Sequence, residues 1–225
     1  MPQSSIPLGR RRFLASATAA FAAPHCWTGI GLSPVKGKRA MGFDRNRSVE
    51  DCISAHREGD AQAAVCEVLA RAVADHGQVL AALGAPAQAG LDVLHRSPSL
   101  TIFEAHWAPQ MNLIAHDHRM WALIGIYTGR EDNILWRRTA DGISAYGASV
   151  LFAGDVAALP ADAIHSVTNP LPRFTAGIHI YGGDFFNTTR SQWDMETLAE
   201  ETSDGAVIQA MFEHENERLR RNGPF

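Results

Sequence analysis

Between Leu100 and Gly183 the chain is cut into short stretches that are too brief for helices and too apolar to stay in water. "SLTIFEAHW", "WALIGIYTG", "DNILWRR", "SVLFAGDVAALP", "HSVTNP" and "FTAGIHIYGG" are rich in Ile, Val, Leu, Tyr, Phe and Trp. Gly, Pro, Asn or Asp separates most of them. Side chains alternate across a strand with a period of two, and such residues suit a pleated surface with at least one buried face. Several strands at this spacing predict an antiparallel sandwich or barrel. At 225 residues, 46% hydrophobic and 20% charged, the chain is long enough for one such core with helices appended.

The flanks read as helices. Ser48 is the expected N-cap of a short helix carrying Val49, Cys52 and Ile53 on one side. Downstream, Val65, Val68, Leu69, Ala72 and Val73 repeat at i, i+3, i+4, i+7 and i+8, an amphipathic helix. His76-Gly77 interrupts it, Gly84 is a stop, and "APAQAG" is a loop. After "GGDFFNTT" a helical pattern resumes in "SQWDMETLAEE" and "AVIQAMFEHENERLRR". The division expected is a helical segment over 41–95, a barrel over 96–190 and a second helical segment over 191–225.

Residues 1–40 are set apart from the fold. "GRRRFLASATAAFAAP" places Arg10 and Arg11 before Phe13, Leu14 and a mild apolar stretch. It resembles a twin-arginine export signal, with Ala20-Phe21-Ala22 as a cleavage site. The other reading is an overextended frame with a natural start at Met41, followed by "GFDRNRSVEDC". The first implies a periplasmic protein and the second a cytoplasmic one.

The formal net charge of −4 gives no reason to expect nucleic acid or an anionic membrane as partner. No apolar run reaches the ~20 residues of a membrane span. The three cysteines, Cys26, Cys52 and Cys66, have no metal-type spacing, and their odd number argues against a disulfide framework. Cys66 falls on an apolar helical face and reads as a core residue.

Of ten histidines, His116 and His118 stand out as a pair one residue apart, followed by an apolar run. On a strand, i and i+2 face the same side, so both imidazoles can bite one ion if a third ligand arrives from elsewhere. In "GDVAALPADAIHSVTNP", Gly154, Pro160, His165 and Asn169 match the second motif of the cupin superfamily, G-x5-P-x-G-x2-H-x3-N, with Asp162 where the motif has Gly. His116, His118 and Gly129 match the first, G-x5-H-x-H-x3,4-E-x6-G. There Gln110 replaces the first Gly, and Ala122 or Leu123 stands where the motif has Glu. The chain therefore resembles the cupins over about residues 100–185. The resemblance implies a double-stranded β-helix, a jelly-roll barrel, with His116, His118 and His165 as metal ligands.

Three neutral imidazoles leave a divalent ion at full charge, and imidazole alone does not choose among Fe, Zn, Cu and Ni. Among cupins, this ligand set resembles that of the thiol dioxygenases, which convert a thiol to a sulfinate with O2. That resemblance implies Fe(II) as cofactor and a small thiol as substrate. "AGIHIYGGDF" is similar to their S-x-H-x-Y segment at His179 and Tyr181, with Gly177 in place of Ser. This implies a tyrosine hydroxyl near the metal, and a His179 deprived of its hydrogen-bond partner.

A thiol carboxylic acid also needs an arginine fork, and Arg96 lies roughly where the family places one. Arg119 and Arg137 read as surface residues, "TGREDN" as a hairpin turn with Arg130, Glu131 and Asp132 solvated, and Trp121, Tyr127 and Trp136 as pocket lining or core. Two other readings stay open: a three-histidine cupin acting on a non-thiol, by diketone dioxygenation or isomerisation, and a metal- or ligand-sensing cupin without catalysis. Oligomeric state is not encoded in any pattern found.

Overall fold

The computed structural model describes residues 42–223; the export-signal and start-site readings of 1–40 lie outside the described residues. Three helices come first: α1 (Arg45–Ala55), α2 (Ala61–Ala74) and α3 (His76–Leu83). Each is capped by an aspartate that accepts a backbone N–H, Asp44 from Arg47, Asp60 from Ala63 and Asp75 from Gln78. Asp44 rather than Ser48 thus starts α1. The break before His76 and the stop at Gly84, whose φ is +89°, fall as expected.

Strands follow: β1 (Gly90–Arg96), β2 (Thr101–Trp107), β3 (Asn112–Asp117), β4 (Ala122–Thr128), β5 (Arg130–Thr139), β6 (Gly142–Phe152), β7 (Val156–Leu159), β8 (Ile164–Thr168), β9 (Thr175–Tyr181), β10 (Ser191–Trp193) and β11 (Glu200–Thr202). Helix α4 (Gly205–Asn222) comes last. All pairings are antiparallel, in two sheets ordered β1-β2-β9-β4-β7 and β11-β10-β3-β8-β5-β6. From β2 to β9 the chain passes back and forth between the sheets, as a double-stranded β-helix requires. The fold is this two-sheet barrel with helices before and after it.

Two expectations need correction. Gly90–Arg96, expected within the helical segment, is an edge strand; its residues are half-buried or exposed, with no clean alternation, because only one side pairs. "SQWDMETLAEE" is not helical. Its ends form β10 and β11, and Gln192 pairs with His116 on β3, so this segment extends the second sheet. Trp193, 0% exposed, rewards that docking more than a solvated helix turn would.

The period-two pattern sends alternate side chains into two cores. Leu100, Ile102, Leu123, Tyr127, Ile178 and Ile180 leave the barrel outward and pack under α1–α3 against Val65, Leu69, Val73 and Val79. Cys66 is buried in this layer, as expected, and is disulfide-bonded. Phe103, Trp107, Ile124, Ile126, Val167 and Tyr181 point inward. Phe212 of α4 stacks on Trp107 at 5.6 Å, and Asn216 bonds both the N–H and C=O of Ala89, which seats α4 against the start of β1.

The motif positions that depart from the cupin pattern are accommodated locally. Gln110 takes φ of +60°, the conformation the usual glycine would hold without strain, whereas Asp162 lies on an exposed turn with no positive φ. Asn169, 0% exposed, ties its loop together by donating to carbonyls of Trp107, Ala108 and Arg173 and accepting from Thr175 and the Leu171 N–H. Its role is architectural.

Candidate metal centre

The pairing of β3 with β8 sets His116 opposite His165, and the pleat carries His118, one residue past β3, to the same side. One ring nitrogen from each of the three histidines lies within 4.8 Å of the others, and all three are buried. His118 Nε2 and His165 Nε2 are 3.3 Å apart. Metal–imidazole bonds of about 2.0–2.1 Å, at angles between octahedral and tetrahedral, place neighbouring nitrogens about 2.8–3.4 Å apart. The cluster therefore fits one ion.

Protonation and tautomer agree. Burial lowers the pKa of His116 to about 4, and that of His118 and His165 well below the ordinary imidazole value, so all three are neutral ligands at neutral pH. His116 Nδ1 donates to the Ile114 carbonyl at 2.9 Å and His165 Nδ1 to Asn133 Oδ1 at 2.6 Å, leaving each Nε2 lone pair for the ion. Asp117, between the ligands, turns away. It pairs with Arg119 and Arg138 and accepts the Ser191 N–H, which anchors β10.

His179 and Tyr181 also face the barrel interior, opposite the outward Ile178 and Ile180. The Tyr181 ring lies 4.9 Å from that of His118, and its hydroxyl is 3.3 Å from His179 Nδ1. Burial holds His179 neutral, down to about 3, and pushes the Tyr181 phenol up. A side chain at Gly177 would be crowded: a Cβ there would come within 2.9 Å of Ile126 and 3.0 Å of the Gly125 carbonyl. His179 Nε2 instead faces Glu131 Oε2 at 3.6 Å.

Glu131 was expected in a solvated turn; it is 0% exposed. The turn is confined to Gly129, and from there β5 alternates, with Arg130 and Asp132 paired to each other outside and Glu131 and Asn133 inside. Glu131 accepts from Trp107 Nε1 at 2.7 Å and from Asn133 Nδ2 at 3.0 Å, and burial raises its pKa to about 7 against those two bonds.

His116, His165, His179 and Tyr181 line one cavity of about 870 Å³, walled by Phe103, Trp107, Phe185 and Phe212. Its cation is Arg190, a residue not singled out in the sequence. The guanidinium lies 3.8 Å over the Phe185 ring, its Nε has no partner, and burial lowers its pKa. Arg96 is not brought to the cavity: its Nε and a terminal nitrogen are both engaged by Asp184, at 2.9 and 3.2 Å. Arg119 and Arg137 are exposed, as expected. Tyr127 donates to Glu104, Trp136 to Ser166, and Trp121 packs toward the helices, so none of these three lines the cavity.

No protein-family model matches the sequence, and no curated protein does. Among solved structures, an uncharacterized conserved protein with a double-stranded β-helix domain from Klebsiella pneumoniae is 13% identical, over 49% of this chain and 89% of that one, at a TM-score of 0.39. The Schizosaccharomyces pombe Cnp3 cupin domain is 11% identical over 43% and 61%, at 0.35. An oxalate oxidase in complex with the substrate analogue glycolate is 15% identical over 38% and 42%, at 0.34. These likenesses are of fold, and they say nothing of this chain's chemistry.

Proposed function

We propose that the chain is a non-haem Fe(II) oxygenase that converts a small thiol to its sulfinate with O2. The observation that carries this reading is a ligand set of three neutral imidazoles with no carboxylate: Ala122 and Leu123, at the positions of the cupin glutamate, are both 0% exposed and serve the two cores. A dication so held keeps its full charge and favours an anionic ligand such as a thiolate. Fe(II), held by His116, His118 and His165, would supply the redox chemistry by which RS⁻ and O2 give RSO2⁻.

The chain's own residues do the rest. Phe103, Trp107 and Phe185 exclude water. The Tyr181 hydroxyl, oriented by His179, holds a proton at the cavity wall. Arg190, with its unpartnered Nε, takes the acid group of the substrate.

The test is O2 uptake by iron-loaded protein with cysteine, mercaptopropionate and cysteamine, with mass spectrometry of the product. A product heavier by two oxygen atoms supports the reading. The cavity favours one alternative: about 870 Å³ is far more than a small thiol fills and lies in the range of drug-sized ligands. Turnover of a larger apolar acid or diketone, with none of the thiols, would assign the site to non-thiol chemistry. Metal binding without any turnover would make it a sensor.

A further inference from the structure

We infer that Glu131 sets the tautomer of His165, and so the competence of the metal site, through Asn133. The inference rests on the three-histidine metal site but not on the thiol reaction. Glu131 meets two N–H donors, Trp107 Nε1 and the Asn133 NH2, and so acts as an acceptor at both of its oxygens. Glu131 Oε1 therefore obliges the Asn133 amide to turn its NH2 inward, a 3.0 Å contact. The amide oxygen must then face His165, where it meets Nδ1 at 2.6 Å. An oxygen at that position demands a proton on Nδ1, and the lone pair is left on Nε2, the atom 3.3 Å from His118 Nε2. Directionality thus passes from a fully buried carboxylate to a ligand atom without Glu131 touching any of the three histidines.

The second oxygen holds the other half of the site. Glu131 Oε2 accepts from Trp107 Nε1 at 2.7 Å and faces His179 Nε2 at 3.6 Å. That nitrogen is buried and makes no hydrogen bond; the carboxylate, just beyond hydrogen-bond distance, favours a proton there by its charge. With the His179 proton drawn to Nε2, Nδ1 is free to accept from the Tyr181 hydroxyl at 3.3 Å. Glu131 is a positioning residue for both, on the strand adjacent to β8.

Glu131→Gln tests this because it keeps the size and changes the direction. Glutamine offers one acceptor and one NH2 to a site with two donors. If its oxygen stays with Trp107, its NH2 faces Asn133, whose amide must flip. Asn133 then donates to His165 Nδ1, and the proton moves to Nε2. In full-length apo protein, nitrogen-15 NMR of the histidine rings should report His165 as the Nδ1–H tautomer in wild type and shift it toward Nε2–H in Glu131→Gln. Co(II) affinity, by competition with a chromophoric chelator, should fall about 10- to 100-fold, the usual effect of losing an outer-shell partner. Asn133→Ala leaves Glu131 in place, cuts the link, and should weaken Co(II) comparably. An unchanged tautomer with unchanged Co(II) affinity in both folded variants would overturn the inference and make Glu131 a packing residue. Failure of wild type to bind Co(II) would overturn it together with the metal site. Neither readout depends on whether a thiol is oxidised.

Discussion

Replacing Arg190 by Met should leave stability unchanged or higher and lower affinity for an acid, two effects that a structural arginine cannot combine. The guanidinium is mostly withdrawn from water, and its Nε finds no acceptor. Asp117 acts on it electrostatically but is committed to Arg119 and Arg138. A buried, unsatisfied donor costs about 1–3 kcal/mol. The contact with Phe185 at 3.8 Å returns about 0.5–2 kcal/mol. Methionine keeps the apolar stem and a polarizable contact with the ring while discarding the charge. The folded state should therefore gain roughly 0–2 kcal/mol, seen as an unchanged or higher urea midpoint. Charge-assisted bonds to a carboxylate contribute about 1.5–3 kcal/mol, so an acid substrate or inhibitor should bind roughly 10- to 150-fold more weakly. The neutral amide of the same molecule should be nearly indifferent. Metal content should not change. Loss of more than ~1 kcal/mol of stability, with acid and amide affected equally, would refute the reasoning and return Arg190 to the architecture.

Tyr181→Phe should keep the metal and lose rate, by about 10² if the hydroxyl donates to reacting groups, measured as turnover of the best substrate at equal iron content; equal rates would place the ring in the core alone. Metal-free protein should unfold in acid. His116, His118, His165 and His179 are held neutral by burial, so their contribution is present above pH 6.5 and is lost as pH falls toward 4. Glu131, raised from 4.5 to about 7, opposes them, favouring the fold below 4.5 and withdrawing that support as pH rises through 7. The histidines outnumber it, so unfolding should take up protons and stability should fall as pH drops from 7 to 4; circular dichroism showing flat stability over that range would mean that the imidazoles are solvated. Gly129→Ala should cost about 2–5 kcal/mol in urea unfolding, because φ is +83° and the new Cβ would collide with Thr175 Oγ1 and lie 2.8 Å from its Cα.

What the sequence showed, it showed where structure is local. The histidine pair one residue apart describes one strand end, and the spacing from Gly154 through Pro160 and His165 to Asn169 describes two consecutive strands and the turn between them, so both survive without knowledge of distant neighbours. The same holds for His179 and Tyr181, whose alternation with Ile178 and Ile180 separates the barrel interior from the helix-covered face. What was missed depends on pairing between distant segments. Ser191–Trp193 is a strand only because β3 lies beside it, and three residues carry no period of their own. Arg190, immediately before it, could not be placed for the same reason. Glu131 and Asn133 read as turn residues because composition puts acids and amides in water. Only Trp107 from β2 and His165 from β8 make an interior position hospitable to them. Arg96 resembles a substrate arginine by position, yet Asp184, 88 residues away, engages it.

The central claim is that His116, His118 and His165 hold one transition-metal ion, and elemental analysis of purified protein tests it most directly. Wild type reconstituted with Fe(II) should carry about one ion per chain. His116→Ala, His118→Ala and His165→Ala should each lose most of it while keeping the β-sheet circular dichroism of the wild type, because two imidazoles hold an ion poorly. Full occupancy in folded His165→Ala would contradict the three-histidine centre.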